Sequence, residues 1–422
     1  MVKFSDSKRS EPLWQKLRDK TNPELTSAFR DLYSIYDSEL VEWFASLYDH
    51  EIGGFYYSPS ARDNATVIYN EKEYELLPDI ESTWQAMGFI KTSGIAEGYT
   101  DAYRDFLPEK MQKRLHDFAY GLQDPDGYFY HKQWGKDITL SRRGRDLGSS
   151  KGVISAFGGT PKYRSLIDEG QKDEGILIPD HLTTRSKFID YLDSLDIPNR
   201  SYHAGNMLIA QFAQIKSQGL VDVCIEYLNK LQHSDTGHWH TETNYYAING
   251  LMKISCVYKN AGILLPSVRT AAFAAIDAIS SEEPCTGITQ IWNTWYASRN
   301  ITSTLRLYGD EGNRIADEIL CELYKVSAPA IRKTAEKTLP MKKPGSSFSD
   351  GIDYPCIVSQ GSPVCIPPLP EGDVNATVMA SNLMTNVVFT ALELADYEVP
   401  LYGREEGKVF LGIIESKINK KM

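Results

Sequence analysis

Apolar residues along much of this chain follow the spacing of an α-helix. In the segment VDVCIEYLNKLQ, which begins at Val221, they recur every three or four positions, and this pattern predicts an amphipathic helix with one buried face. The segment from Asn244 to Tyr258 is apolar nearly all round, which predicts a helix buried on every side. Between them, Gly237 supplies a turn, and Thr241 or Thr243 is expected to cap the second helix.

This pairing of a half-exposed helix with a buried one recurs as a degenerate repeat. Each copy has a helix, a turn that contains glycine and an aromatic residue, a short polar stretch and a second helix with a polar start. The clearest copies cover residues 39–94, 113–159 and 221–262, with a truncated echo (KPGSSFSDG, then DVNATVMASNLMTNVVFTALELA) at 343–395. Two further helices of the buried type, at 201–217 and 287–309, lack the glycine turn.

Five or six such hairpins cannot each bury their own second helix, whereas hairpins packed side by side in a closed ring can. The repeat therefore predicts an all-α fold, an (α/α) toroid of five to six helical hairpins. The whole chain, residues 1–422, is expected to form one domain, with an irregular segment rich in Pro, Gly and Cys at 340–372.

The glycine-aromatic turn before a polar-headed helix resembles the toroids of the terpenoid-cyclase and prenyltransferase superfamily, and those of many glycoside hydrolases and polysaccharide lyases. The resemblance is architectural and covers roughly residues 37–396. The DxDD and DDxxD motifs of terpenoid enzymes are absent, as is a zinc-ligand set like that of protein prenyltransferases. The resemblance therefore favours the carbohydrate-active members, and it implies a site where the polar starts of the inner helices face one mouth of a cavity.

Composition narrows the range of functions. A net charge of −11 argues against a nucleic-acid partner, because binding phosphates needs a basic surface. The chain contains 25 Tyr, 15 Phe and 7 Trp, many of them beside polar residues, which suits a cavity for a sugar ring. No apolar leader or span is visible, so the sequence predicts a cytoplasmic protein with no membrane partner.

Polar residues at the predicted helix starts are the candidates for chemistry, since helix N-termini favour anions and side chains there reach the cavity mouth. Paired carboxyl groups on two helices can cleave a glycosidic bond as acid and base. The candidate catalytic residues are Asp79, Glu81, His240, Glu242 and Tyr245. Glu242 is expected to act with Glu81 or Asp79.

Other polar and aromatic residues near these positions are candidates for substrate binding. They are His131, Trp134, His203, Asn206, Trp292, Trp295 and Arg299. Trp292 and Trp295 are one turn apart and are expected to share a face. The stretch SRRGRDLGSSKG is interpreted as a loop whose Arg142, Arg143 and Arg145 bind an acidic group.

Several functions fit this pattern, and the sequence leaves them open. The favoured interpretation is a glycoside hydrolase acting on an oligosaccharide, with no metal and no cofactor. A lyase acting on a uronate with a His or Tyr base is the first alternative. A non-catalytic sugar- or lipid-binding toroid and a diverged isoprenoid enzyme are the others.

Overall fold

A computed structural model describes residues 2–164, 178–366 and 368–420. Its α-helices are α1 (Glu11–Lys20), α2 (Pro23–Tyr33), α3 (Glu39–Ser46), α4 (Pro59–Asp63), α5 (Ile80–Thr92), α6 (Glu109–Gly121), α7 (Leu140–Ala156), α8 (Arg185–Ser194), α9 (Ile197–Ala210), α10 (Phe212–Ser217), α11 (Val221–Leu231), α12 (Tyr245–Ala261), α13 (Val268–Ser280), α14 (Ile288–Leu305), α15 (Gly309–Thr338), α16 (Val374–Ala380), α17 (Asn382–Ala391) and α18 (Arg404–Ile418). Two short antiparallel hairpins pair β1 (Thr66–Tyr69) with β2 (Lys72–Glu75) and β3 (Val358–Ser359) with β4 (Ser362–Pro363).

The predicted all-helical character is confirmed, since most described residues lie in helices and the strands are short. Helices α11 and α12 coincide with the two segments whose apolar residues have helical spacing. The cap of α12 differs from the prediction: the side chain of Asn244, rather than a threonine, accepts the backbone N–H of Ala247 at 2.8 Å. Asn is a strong N-cap because its short amide reaches back to the first turn.

The glycine-aromatic turn is closed by backbone hydrogen bonds in all four copies. In each copy the backbone N–H of the first residue donates to a carbonyl four or five residues later, in the pairs 49–54, 124–128, 233–238 and 343–347. A glycine with positive φ lies in each, and at Gly53 a Cβ would come within 2.3 Å of the backbone oxygen of Arg114. The aromatic residue that follows is fully buried in every copy: Phe55, Phe129, Trp239 and Phe348. These aromatic residues anchor the turn to the core and do not line a cavity.

Six helices, called here the central helices, pack against one another in succession: α9 on α12, α12 on α14, α14 on α16, α16 on α5, and α5 on α7. The close approach of α9 and α12 depends on small residues at the crossing. A Cβ on Gly205 would lie 2.5 Å from the Cβ of Lys253, and one on Gly250 would lie 2.0 Å from Oγ of Ser201.

The starts of several central helices lie at one end of the molecule. The segment before α14 touches the start of α12, where Glu283 accepts the backbone N–H of Tyr245. The carbonyl of Asp350 accepts the first N–H of α14, and the carbonyl of Tyr57 accepts the first N–H of α16. The side chain of Ser359 then reaches Glu81 in the first turn of α5. These links bring the starts of α5, α12, α14 and α16 together.

Helices from the beginning and the end of the chain also pack together, α2 on α15 and α3 on α18.

The segment predicted to be irregular, 340–372, holds the β3–β4 hairpin and short 3-10 turns but no α-helix among its described residues. In the described part of the chain, no helix combines the length and the apolar character needed to span a bilayer.

Candidate functional site

Glu81 lies in the first turn of α5 and is held by positive charge from α7. Its Oε1 is 2.6 Å from Nη1 of Arg145, and its Oε2 is 3.4 Å from Nη1 of Arg142. The hydroxyl of Ser359, in β3, donates to Oε2 at 2.9 Å. Arg145 is about half exposed at 52% and the Glu81 side chain is 10% exposed. The pair therefore lies at the boundary between the interior and open space.

Arg142 is fully buried and neutralises several carboxylates at once. Its Nη2 is 3.2 Å from Asp79 and its Nε is 2.9 Å from Asp146, although the second contact is an ion pair without a well-directed hydrogen bond. Burial raises the pKa of Asp146 to about 7, against the opposing pull of Arg142. Asp79 also caps α5 by accepting the backbone N–H of Ser82 at 3.0 Å. This cluster is structural support behind Glu81.

Two aromatic rings close the cluster on the side away from Glu81. The guanidinium of Arg142 lies 4.2 Å from the ring centroid of Trp134, and the ring of His131 meets Trp134 edge-on at 4.9 Å. Nε2 of His131 accepts the first N–H of α5, that of Ile80, at 3.2 Å. Burial, with help from Arg142, lowers the pKa of His131 to about 3. His131 and Trp134 are therefore buried within this cluster, at 3% and 5% exposure.

The interpretation of the arginine segment as a loop is wrong. Residues 140–156 form α7, which begins where the side chain of Thr139 accepts the backbone N–H of Arg142 at 3.0 Å. Gly144 and Gly148 within it favour a loop by propensity, but the ion pairs of Arg142 and Arg145 with α5 outweigh that weak local preference. Arg143 lies apart, 4.7 Å from the ring of Tyr128. The three arginines therefore do not act together on one ligand.

Two neighbouring aspartates, Asp350 and Asp373, lie at the starts of α14 and α16. Asp373 is the N-cap of α16, fully buried, and accepts the N–H of Ala376 at 2.8 Å. Burial raises its pKa to about 7, and the charge of Asp350 adds to that increase. Asp350 is only half-buried and accepts the hydroxyl of Thr289 at 2.9 Å. Neither aspartate was among the candidates, although both lie in the truncated echo of the repeat.

The candidates before α12 spread over different environments. Glu242 is exposed, and its backbone N–H meets Nδ1 of His240 at 3.1 Å. Tyr245 is 1% exposed, and its hydroxyl accepts Nζ of Lys337 at 2.7 Å. Burial raises the pKa of this tyrosine, so its hydroxyl is held in the neutral form. Glu242 and Tyr245 therefore do not converge on one point.

One face of α5 and one face of α7 look onto open space beside Glu81. Trp84, one turn after Glu81, is 36% exposed and lies against α7, where a Cβ on Gly152 would be 2.8 Å from its ring. A Cβ on Gly88 or Gly148 would meet nothing within 4 Å. The exposed indole thus forms an aromatic surface next to the Glu81–Arg145 pair.

The two tryptophans of α14 do not share a face. Trp292 is half-buried and stacks on Tyr296 with ring centroids 4.7 Å apart, whereas Trp295 is fully buried and donates to Thr334 of α15 at 2.9 Å. With 3.6 residues per turn, side chains three residues apart point about 60° apart around the helix axis. This difference in direction places Trp295 in the core and leaves Trp292 half-buried. Trp295 is therefore a core residue.

Arg299 and the polar residues of α9 are more accessible. Arg299 is half-buried and lies 5.5 Å from the ring of Tyr296. On α9, His203 is exposed and Asn206 is half-buried.

A cleft of about 670 Å³ opens elsewhere, between residues 91–103, the N-terminal segment and Tyr402. The cleft lies at the C-terminal end of α5. That end is about 20 Å from Asp79, since a helix rises 1.5 Å per residue. Its carboxylates are engaged locally: Glu97 pairs with Arg9, and Asp101 accepts two backbone N–H groups.

No group of three or more His, Cys, Asp or Glu side chains among the described residues is arranged to hold a metal ion. Comparison of the sequence with protein-family models and with curated proteins gives no match.

Proposed function

We propose that this chain is a carbohydrate-active enzyme that cleaves a glycosidic bond with two carboxyl groups, in a cavity formed by an (α/α) toroid. The succession of contacts from α9 to α7 through the central helices supports this arrangement, and the closure of that row into a ring is part of the proposal. The clustering of helix starts at one end gives such a ring one polar mouth.

The observation that carries the proposal is the contrast between two carboxyl environments at this mouth. Glu81 forms ion pairs with Arg142 and Arg145. The pKa of Asp373 is raised to about 7 by burial and, in smaller part, by Asp350, so the aspartate pair holds a proton near neutral pH. Enzymes that hydrolyse glycosides need one ionised and one protonated carboxyl group.

In this mechanism the aspartate pair shares one proton. Asp350, the half-buried member, donates it to the oxygen of the leaving sugar, and the water that attacks the other sugar returns a proton to the enzyme. Glu81 supplies negative charge for the sugar cation that forms as the bond breaks, or activates water. Trp84 offers a flat apolar surface to a sugar ring beside Glu81. The role of partner to Glu81, which sequence reasoning assigned to Glu242, passes to the aspartate pair in this proposal.

The test uses the full chain with a panel of neutral and acidic oligosaccharides and measures new reducing ends. We expect Glu81→Gln and Asp350→Asn each to lower kcat about 100-fold or more, in the range typical for loss of an acid or base. Glu242→Gln is the matched control, with an expected change of less than about twofold on that scale. Helicity and melting by circular dichroism verify folding. Full activity in Glu81→Gln would reject the mechanism, and loss confined to Glu242→Gln would restore the sequence-based assignment.

The pH dependence gives a second prediction. Because the aspartate pair must hold a proton, kcat/KM is expected to fall as the pH rises above about 7, the pKa of Asp373. The measurement is a profile of kcat/KM from pH 5 to pH 9, roughly spanning that pKa. A profile that is flat from neutral to alkaline pH would exclude the pair as the acid.

A uronate lyase is the second candidate. Such an enzyme needs a base such as Tyr and a cation for the carboxylate of the uronate, and the central helices carry both, for example Tyr296 beside Arg299. Lysis produces an unsaturated uronyl product that absorbs in the ultraviolet, whereas hydrolysis produces only a reducing end. The same reactions therefore separate the two chemistries.

A further inference from the structure

Partly accessible positive charge is found on three of the central helices, although the chain as a whole carries a net charge of −11. Arg145 of α7, Lys253 of α12 and Arg299 of α14 contribute it. Each is partly accessible: Arg145 is 52% exposed, and the other two are half-buried.

Two of these cations have no compensating anion. In the described part of the chain, neither Lys253 nor Arg299 has a carboxylate within ion-pair distance; each lies instead over an aromatic ring. Nζ of Lys253 is 5.4 Å from the ring centroid of Tyr202, and the guanidinium of Arg299 is 5.5 Å from that of Tyr296. Half-buried cations that lack a counter-ion favour the binding of an anion.

The cations belong to one region. Burial lowers the pKa of Lys253, and the positive charge of Arg145 lowers it further. On α12, Lys253 and Cys256 are three residues apart and therefore lie on the same side of the helix. Cys256 links α12 to α14: Asn300 donates to its sulfur at 3.0 Å. Burial raises the pKa of Tyr296, and the neighbouring Cys256 adds to that increase. These contacts connect the surroundings of Lys253 on α12 with those of Arg299 on α14.

We infer that Lys253 and Arg299, with Arg145 at the edge, bind the carboxylate of an acidic sugar unit of the substrate. The aromatic rings that flank the cations, Tyr202, Tyr296 and the stacked Trp292, provide the flat surfaces that sugar rings contact. Arg145 keeps its bond to Glu81 and contributes long-range attraction. This inference rests on the proposed function and specifies the substrate class of the same site.

The test is a binding measurement, so that it does not depend on turnover. Tetramers of galacturonate, glucuronate and mannuronate are each compared with their carboxyl-reduced, neutral counterparts by isothermal titration calorimetry on the full chain. At least one acidic tetramer is expected to bind tenfold or more tightly than its neutral counterpart, with an affinity that falls as salt rises. If no acidic tetramer is preferred, the inference is overturned, whereas the hydrolase proposal stands on turnover of neutral sugars.

Variants show which residues cause the tighter binding of the acidic tetramer. Lys253→Gln and Arg299→Gln are each expected to weaken the acidic tetramer at least tenfold and the neutral one less than twofold. Lys259→Gln is the matched control, because it removes the same charge from an exposed position of α12, and Arg299→Lys should keep most of the preference. Equal losses for both tetramers, or a loss in the Lys259 variant as large as that in the Lys253 variant, would contradict the assignment.

Discussion

Individual buried polar residues hold the starts of the central helices in place, and His131 shows how. Its ring accepts the first N–H of α5, so it must stay neutral, and burial lowers its pKa to about 3 from 6.5. Between these values the unfolded chain binds a proton that the folded protein does not. The contribution of His131 to stability is therefore complete above about pH 6.5 and is lost as the pH falls.

A prediction follows for His131→Gln. At pH 7.5 we expect the variant to be less stable by about 1–3 kcal/mol, because the acceptor for Ile80 is lost or displaced. At pH 5 the difference should shrink by about 2 kcal/mol, because protonation of the unfolded chain then penalises only the unsubstituted protein. Urea denaturation at the two pH values measures this. The exposed His233→Gln is the control, for which no change with pH is expected, and a difference for His131→Gln that is constant or grows in acid would refute the argument.

At the scale of elements, the crossing of α9 and α12 is fixed by backbones in close contact. Gly250 faces Ser201 with no room for a Cβ, and Lys253 lies on the same helix one turn further on. The spacing of these helices thus sets where one of the proposed anion-binding cations stands.

Gly250→Ala is therefore expected to destabilise the protein by about 1–3 kcal/mol, because the added methyl group forces the helices apart. Gly412→Ala is the matched control, since Gly412 lies in α18 and a Cβ there would meet nothing within 4 Å; at that position alanine should add up to about 1 kcal/mol through helix propensity. Thermal or urea unfolding, followed by circular dichroism at the helical band, compares the two. Equal effects of both substitutions would contradict the account.

The sequence predicted the structure correctly where the signal lies within one helix or one turn. The apolar spacing of α11 and α12 and the glycine of each turn are local properties, and both could be interpreted correctly. It placed the second helix of the second copy correctly but missed the first turns of α7, because the glycines weaken the helical signal and the stabilising partner Glu81 is distant in sequence. It also missed Asp350 and Asp373, since the raised pKa of Asp373 arises from burial and from a neighbour brought close by folding.

At the scale of the whole molecule, early and late segments are fastened together by buried polar contacts. Glu406, 3% exposed, accepts the backbone N–H of Phe4 at 2.9 Å and that of Gly403 at 3.0 Å. The ammonium of Lys3 donates to the carbonyl of Tyr36 at 2.7 Å. These contacts join the N-terminal segment to α18 and to the residues that follow α2.

Glu406→Ala is expected to lower the free energy of unfolding by about 2–4 kcal/mol, because two buried N–H groups lose an ionic acceptor. The neighbouring Glu405→Ala is the control: that side chain is 53% exposed and pairs with Lys408 at the surface, so its loss should change stability much less than the loss of Glu406. Urea denaturation measures both. A similar small effect for the two variants would show that the junction contributes little to stability.

The four matching turns carry a consequence for how such a chain can evolve. Each turn is specified by one glycine, one buried aromatic residue and hydrogen bonds between backbone atoms. Backbone bonds do not depend on side-chain identity, so most positions of a repeat are free to drift as long as their apolar or polar character is kept. Copies that arose by duplication would then lose their mutual sequence similarity long before they lose their shape, and each could acquire its own polar residues at the helix start without disturbing the others.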